Sequence, residues 1–149
     1  MKYHLAQLNI GRILAPIDSE IMYGFTSRLD EINALAEASP GFIWRLKDET
    51  GDATSYRPFD DDMLLINMSV WENLDSLKDF TYKSMHVEVM KHRKLWFEHL
   101  KTPYIALWWV AEGHYPDLME AKQRLEKLQL EGPSATVFDF RNPFPAPLI

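Results

Sequence analysis

The chain has no cysteine in its 149 residues, which removes disulfide frameworks, thiolate metal sites, cysteine nucleophiles and thiolate-held haem. Glycine is scarce, at six residues, and none builds a phosphate-cradling loop, a Gly-x-Ser-x-Gly elbow or a dinucleotide fingerprint. Kinase, hydrolase and dehydrogenase readings therefore lose their usual support. No His-x-x-x-His or Glu-rich pattern occurs, so a metal site made by protein ligands alone is not expected. No apolar run approaches the roughly 20 residues that span a bilayer. The start, Met1 to Gln7, alternates like a strand instead of presenting a basic stretch and an apolar core, so no export signal is read there. Basic charge is in deficit, with 16 Lys and Arg against 22 Asp and Glu and a net charge of −6. Such a chain repels a phosphate backbone, which excludes nucleic acid as the expected partner. The remaining expectation is a cytoplasmic protein forming one domain over residues 1–149, long enough to bury a core without staples.

What is present is apolar and aromatic: 46% hydrophobic residues and five tryptophans. Tyr3 to Ile10 alternates, with His4, Ala6, Leu8 and Ile10 on one face and Tyr3, Leu5, Gln7 and Asn9 on the other, which predicts a strand. From an N-cap at Asp18, the residues Ile21, Phe25, Leu29, Ile32 and Ala36 follow helical spacing until Ser39-Pro40-Gly41 stops the run. Phe42 to Leu46 predicts a short strand, and Lys47 to Asp62 an exposed hairpin loop that serves as a lid. Met63 to Trp71 predicts a third strand. Asn73 is placed to cap a helix through Leu74, Leu77 and Phe80, and a fourth strand, Tyr104 to Ala111, follows Pro103. Strand, helix, strand, strand, helix, strand is the split βαβ order of a ferredoxin-like α+β sheet with helices on one face. A further helix from about Asp117 to Leu130 and an extended, proline-rich tail complete the chain.

The segment Ser84 to Phe97 reads as an amphipathic helix whose apolar stripe is interrupted by polar residues. His86, Met90, Arg93 and Phe97 share one face, opposite Lys83, Lys91, Lys94 and Glu98. Burying an imidazole or a guanidinium without a partner costs several kcal/mol, roughly, so the pair either belongs to an internal network or faces a cavity between this helix and the sheet. Arg93 suits an anionic ligand because a guanidinium pairs bidentately with a carboxylate. His92 and His99 are assigned to solvent. The polar strand residues Gln7, Asn9, Asn67 and Ser69 are read for the most part as a solvated or subunit-facing surface.

Nearly the whole chain carries a resemblance. Tyr3-His4-Leu5-Ala6-Gln7-Leu8-Asn9, Ser39-Pro40-Gly41-Phe42-Ile43-Trp44-Arg45-Leu46 and Asn67-Met68-Ser69-Val70-Trp71-Glu72 resemble a bacterial family catalogued as a domain of unknown function. So do Tyr82-Lys83-Ser84-Met85-His86, Arg93-Lys94-Leu95-Trp96-Phe97, Leu107-Trp108-Trp109-Val110 and Phe140-Arg141-Asn142-Pro143-Phe144-Pro145. That family looks like a branch of the dimeric α+β barrel superfamily, which includes antibiotic-biosynthesis and haem-degrading monooxygenases. The resemblance implies a homodimer joined through its sheets, the faces bearing Leu5, Leu65 and Trp71 being too apolar to leave in water. From the haem-degrading relatives it implies Asn9, Trp71 and His86 around a bound haem, with His86 as axial iron ligand and Arg93 within reach of a propionate, although His86 follows Trp71 at a longer spacing than in those relatives. The enzyme reading is a monooxygenase acting on haem or a flat hydrophobic molecule, with His86, Asn9 and Trp71 as catalytic groups and Met90, Arg93 and Phe97 completing the site. The alternative is a noncatalytic protein binding a small ligand on the same scaffold.

Overall fold

Alternation in the first residues becomes a ten-residue strand, β1 (Tyr3–Arg12), both of whose faces are covered by the same chain. The computed structural model describes residues 2–47, 56, 58–59, 61–83 and 91–148. After β1 come α1 (Glu20–Thr26), α2 (Leu29–Glu37), β2 (Phe42–Arg45), β3 (Leu64–Trp71) and α3 (Leu74–Lys83). A short 3-10 turn (Arg93–Leu95), β4 (Ile105–Ala111) and α4 (Leu118–Glu131) follow. The strands form one antiparallel sheet in the order β2-β3-β1-β4. Each helical connection thus crosses over a neighbouring strand, which is the ferredoxin-like α+β arrangement.

One sheet face carries Leu5, Leu65 and Trp71. Leu5 and Trp71 pack with Ala36 of α2 and Leu77 of α3, and Leu65 packs with Met22 of α1 and Trp96. The surface expected to await a second copy is therefore filled from within, because three helices of this chain lie on it. The opposite face, including Ala6, Leu8, Met68, Val70 and Trp108, packs against Ala121, Leu125 and Leu128 of α4. The tail returns to the first face: the Trp109 indole donates to the Phe144 carbonyl at 2.9 Å, and Phe138 bridges Leu107. Among the described residues no helix is long and apolar enough to cross a membrane.

Two expected elements differ. The single helix read from Asp18 to Ala36 is two, because Gly24, Thr26 and Ser27 are poor helix formers and the chain tightens there into an i→i+3 bond from Arg28 N to Phe25 O. The break turns the stripe, so Met22 is buried and Ile21 is exposed. The helix read as far as Phe97 ends earlier. Leu14 N donates to Trp96 O at 2.9 Å and Glu98 N to Arg12 O at 2.8 Å, so strand-like pairing with the end of β1 replaces helical bonding. Of the expected lid, most lies outside the described residues.

Candidate functional site

A strand places alternate side chains on one face, and between that face and α1, α2 and α3 the structure encloses a cavity of about 190 Å³. Its floor is sheet. Three transverse rows follow from the strand register, the first being Arg45 of β2, Ser69 of β3, Gln7 of β1 and Leu107 of β4. The second is Asn67, Asn9 and Ile105, and the third pairs Leu65 with Gly11. The roof is apolar where it meets the sheet, with Phe25, Leu29, Ile32, Leu77 and Phe80.

Hydrogen bonding fixes the first row. Gln7 Nε2 donates to Asn67 Oδ1 at 2.7 Å and to Ser69 Oγ at 2.8 Å, and the Trp71 indole N–H donates to the same Ser69 Oγ at 2.8 Å. Gln7 and Ser69 are each 6% exposed and Trp71 is 1% exposed, so water does not compete for the two bonds to Ser69. The bland reading of the strand polar residues as a wetted surface is overturned for Gln7 and Ser69, because the helices cover them. Asn9 is half-buried and Asn67 exposed.

Three arginines line the cavity, Arg28, which is exposed, Arg45 and Arg93, and among the described lining residues there is no carboxylate. Arg93 is half-buried and lies over two rings, with its guanidinium carbon 4.8 Å from the Tyr104 centroid and 5.6 Å from the Phe97 centroid. Stacking of this kind holds the plane of the group while leaving its N–H edge available. Arg45 is turned inward, its side chain 11% exposed, and meets Glu37 at 3.3 Å.

Of the residues singled out from sequence, Asn9, Trp71, Arg93 and Phe97 all border this cavity. His86 and Met90 lie outside the described residues. His92 and His99 are exposed, as assigned. Residues missed from sequence are Ser69 and Arg45, together with Tyr104. The signal for the first two was present as strand alternation, but it does not say what covers a face. Among the described residues nothing provides for haem: the cavity they bound, about 190 Å³, falls below even the roughly 300–1,000 Å³ usual for drug-sized ligands, and no histidine is among its described lining.

Residues 4–149 match a family described as Domain of unknown function (DUF3291). No curated protein matches the sequence. Among solved structures, the chain is similar to a protein of unknown function from Nitrosomonas europaea, at 12% identity and a TM-score of 0.51, covering 77% of this chain and 96% of that one. It is also similar to SnoaB, a cofactor-independent oxygenase from Streptomyces nogalater, at 16% identity and a TM-score of 0.47 over 76% of this chain and 98% of that one. A Pseudomonas aeruginosa protein gives 11% identity and a TM-score of 0.49 over 75% and 96%. At such identities the likeness is one of fold.

Proposed function

We propose, for a chain that belongs to the DUF3291 family over residues 4–149, that the cavity binds a small, flat, largely apolar molecule bearing an anionic or ionisable oxygen, and that the protein oxygenates it as a monooxygenase-like enzyme. The observation that carries the binding half is the sign of the lining. Three arginines border the cavity, Arg93 and Arg45 half-buried and Arg28 exposed, with no carboxylate among its described lining residues, in a chain whose net charge is −6. Cations gathered against that background favour an anion, and the low-dielectric setting strengthens their pull.

The catalytic half rests on the resemblance and on His86. Among the described lining residues there is no His, Asp, Glu or Lys, and an arginine does not give up its proton in a protein. The general base is assigned, by the resemblance, to His86, which takes a proton from the substrate, while the guanidinium-bearing lining holds the resulting anion and Asn9, Trp71, Met90, Arg93 and Phe97 shape the site. The anion is electron-rich enough to react with dioxygen, and an enolisable CH2 balances the reaction by itself, CH2 and O2 giving C=O and water with all four electrons drawn from the substrate. The same lack of a described base favours the second reading, a noncatalytic binding protein, wherever His86 plays no chemical part.

The test is to follow dioxygen uptake with a panel of enolisable and phenolic aromatics, alongside ligand binding and melting temperature, for the wild type and His86→Ala. Loss of uptake with binding and melting temperature retained supports the enzyme. A structural histidine instead costs about 1–3 kcal/mol when truncated, and a fall in melting temperature of several degrees or more, as such a loss gives, with binding unchanged would return His86 to the core. Binding without uptake by the wild type establishes the noncatalytic reading, and absence of binding sinks both.

A further inference from the structure

Ser69 is a buried residue of the cavity floor whose hydroxyl proton has no partner among the described residues. Its hydroxyl oxygen accepts from Gln7 Nε2 and from Trp71 Nε1, both at 2.8 Å. A hydroxyl has two lone pairs and one proton. Both lone pairs are taken by groups that can only donate, so the proton has to be given to something else. Among the described residues no acceptor receives it, and Ser69 borders the cavity.

Next to Ser69 in the same transverse row stands Arg45. Cross-strand neighbours on one face have Cβ atoms about 4.5–5.5 Å apart. Arg45 is held from outside by Glu37, whose Oε1 accepts from both Nε and Nη2 at 3.3 Å, a long pair that leaves Nη1 without a partner among the described residues. A hydroxyl donor and a guanidinium donor therefore flank one spot on the cavity floor. Given the ligand-binding role proposed above, on which this step rests, we infer that Ser69 and Arg45 together hold the anionic oxygen of the ligand, and that the ligand class is a small aromatic carboxylate or phenolate. Gln7 and Trp71 are positioning residues: they spend the lone pairs of Ser69 and so aim its proton at the ligand.

Geometry also says which end of the ligand goes where. From Gln7 to Gly11 the floor runs four residues, about 13 Å at 3.3 Å per residue, and the row of Ser69 and Arg45 lies toward the end closed by Trp71, Phe42 and Leu77. Arg93 and Tyr104 border the other end, near Ile10 and Gly11. A bicyclic ring fits between, with its charged oxygen on Ser69 and Arg45 and its far edge toward Phe97.

The test is calorimetric titration of 2-naphthoate and of uncharged 2-naphthamide into wild type, Ser69→Ala, Arg45→Met and Arg93→Met, with circular dichroism on each variant. The wild type is expected to prefer naphthoate, and Ser69→Ala and Arg45→Met each to weaken naphthoate about tenfold, the usual loss for one hydrogen bond to a charged group, with much less effect of Arg45→Met on naphthamide. Should Ser69→Ala unfold because the Trp71 indole loses its acceptor, Arg45→Met, which touches no such bond, still decides. Equal binding of both probes by all four proteins overturns the oxygen site while leaving an aromatic-binding cavity. Loss of preference in Arg93→Met alone moves the anion to Arg93 and overturns the assignment. Failure of either probe to bind the wild type removes the cavity reading itself.

Discussion

Gly11 shows how tightly single residues set the cavity. A β-carbon there would stand 2.7 Å from Phe97 Cδ1, closer than carbon atoms approach, and Phe97 in turn lies beneath the Arg93 guanidinium. Gly11→Ala is therefore expected to push the ring inward, costing about 1–3 kcal/mol as overpacking does and weakening 2-naphthoate binding in the same protein. Urea unfolding and calorimetry read the two effects, and a variant with wild-type midpoint and affinity would contradict this placement of Phe97. Residue chemistry was partly legible from sequence. Arg93 stood out because a guanidinium on an apolar stripe is costly without a role. Ser69 did not, because a small polar residue at an alternating position looks the same over water as over a cavity, and only the helices packed above it make the difference.

At the level of elements, local chemistry found two of the caps but not the first, since the residue before α1 is Ser19, not Asp18, and its side chain makes no capping bond. Asn73 caps α3 as its side chain suggests, accepting from Ser76 N at 2.9 Å, and Asp117 caps α4 by accepting from Glu120 N at 2.8 Å. Both caps are written in neighbouring residues, so no tertiary knowledge is needed to find them. The ends that failed were decided at long range. The stripe of Ile21 and Phe25 promised one helix, and the run toward Phe97 promised another, until pairing of Trp96 and Glu98 with Leu14 and Arg12 captured the backbone. A cap carries a measurable share of stability: Asp117→Ala is expected to cost about 1 kcal/mol. Its effect should appear as a lower urea midpoint with naphthoate binding unchanged, since α4 lies on the sheet face away from the cavity. Loss of ligand affinity in this variant would show that α4 supports the site.

For the whole molecule the decisive feature is that α4, together with Tyr56, Phe59 and Leu100, covers the second face of the sheet. The ferredoxin-like order was legible because alternation and helical spacing follow the chain, but the face bearing Leu5, Leu65 and Trp71, read as the seam with a second copy, is covered by the chain's own helices, which apolar strands alone do not reveal. Here Trp108 is 0% exposed and Leu125 likewise 0%, both within the core formed between β1, β3, β4 and α4. For that face to meet a second copy, α4 has to leave it. Leu125→Ala keeps the helix but opens a cavity, and is expected to lower stability by about 2–5 kcal/mol. Leu125→Asp places an unpaired charge against the Trp108 face, which this site does not accommodate, so the helix is expected to detach and expose Ala6, Leu8, Met68 and Trp108 as a continuous apolar surface. Such a surface drives association. Sedimentation velocity of Leu125→Asp should then show species heavier than the wild type at equal concentration, while Leu125→Ala sediments as the wild type does. If Leu125→Asp keeps both the wild-type unfolding midpoint and the wild-type mass, α4 is not what covers the sheet, and the face is again open to a second copy.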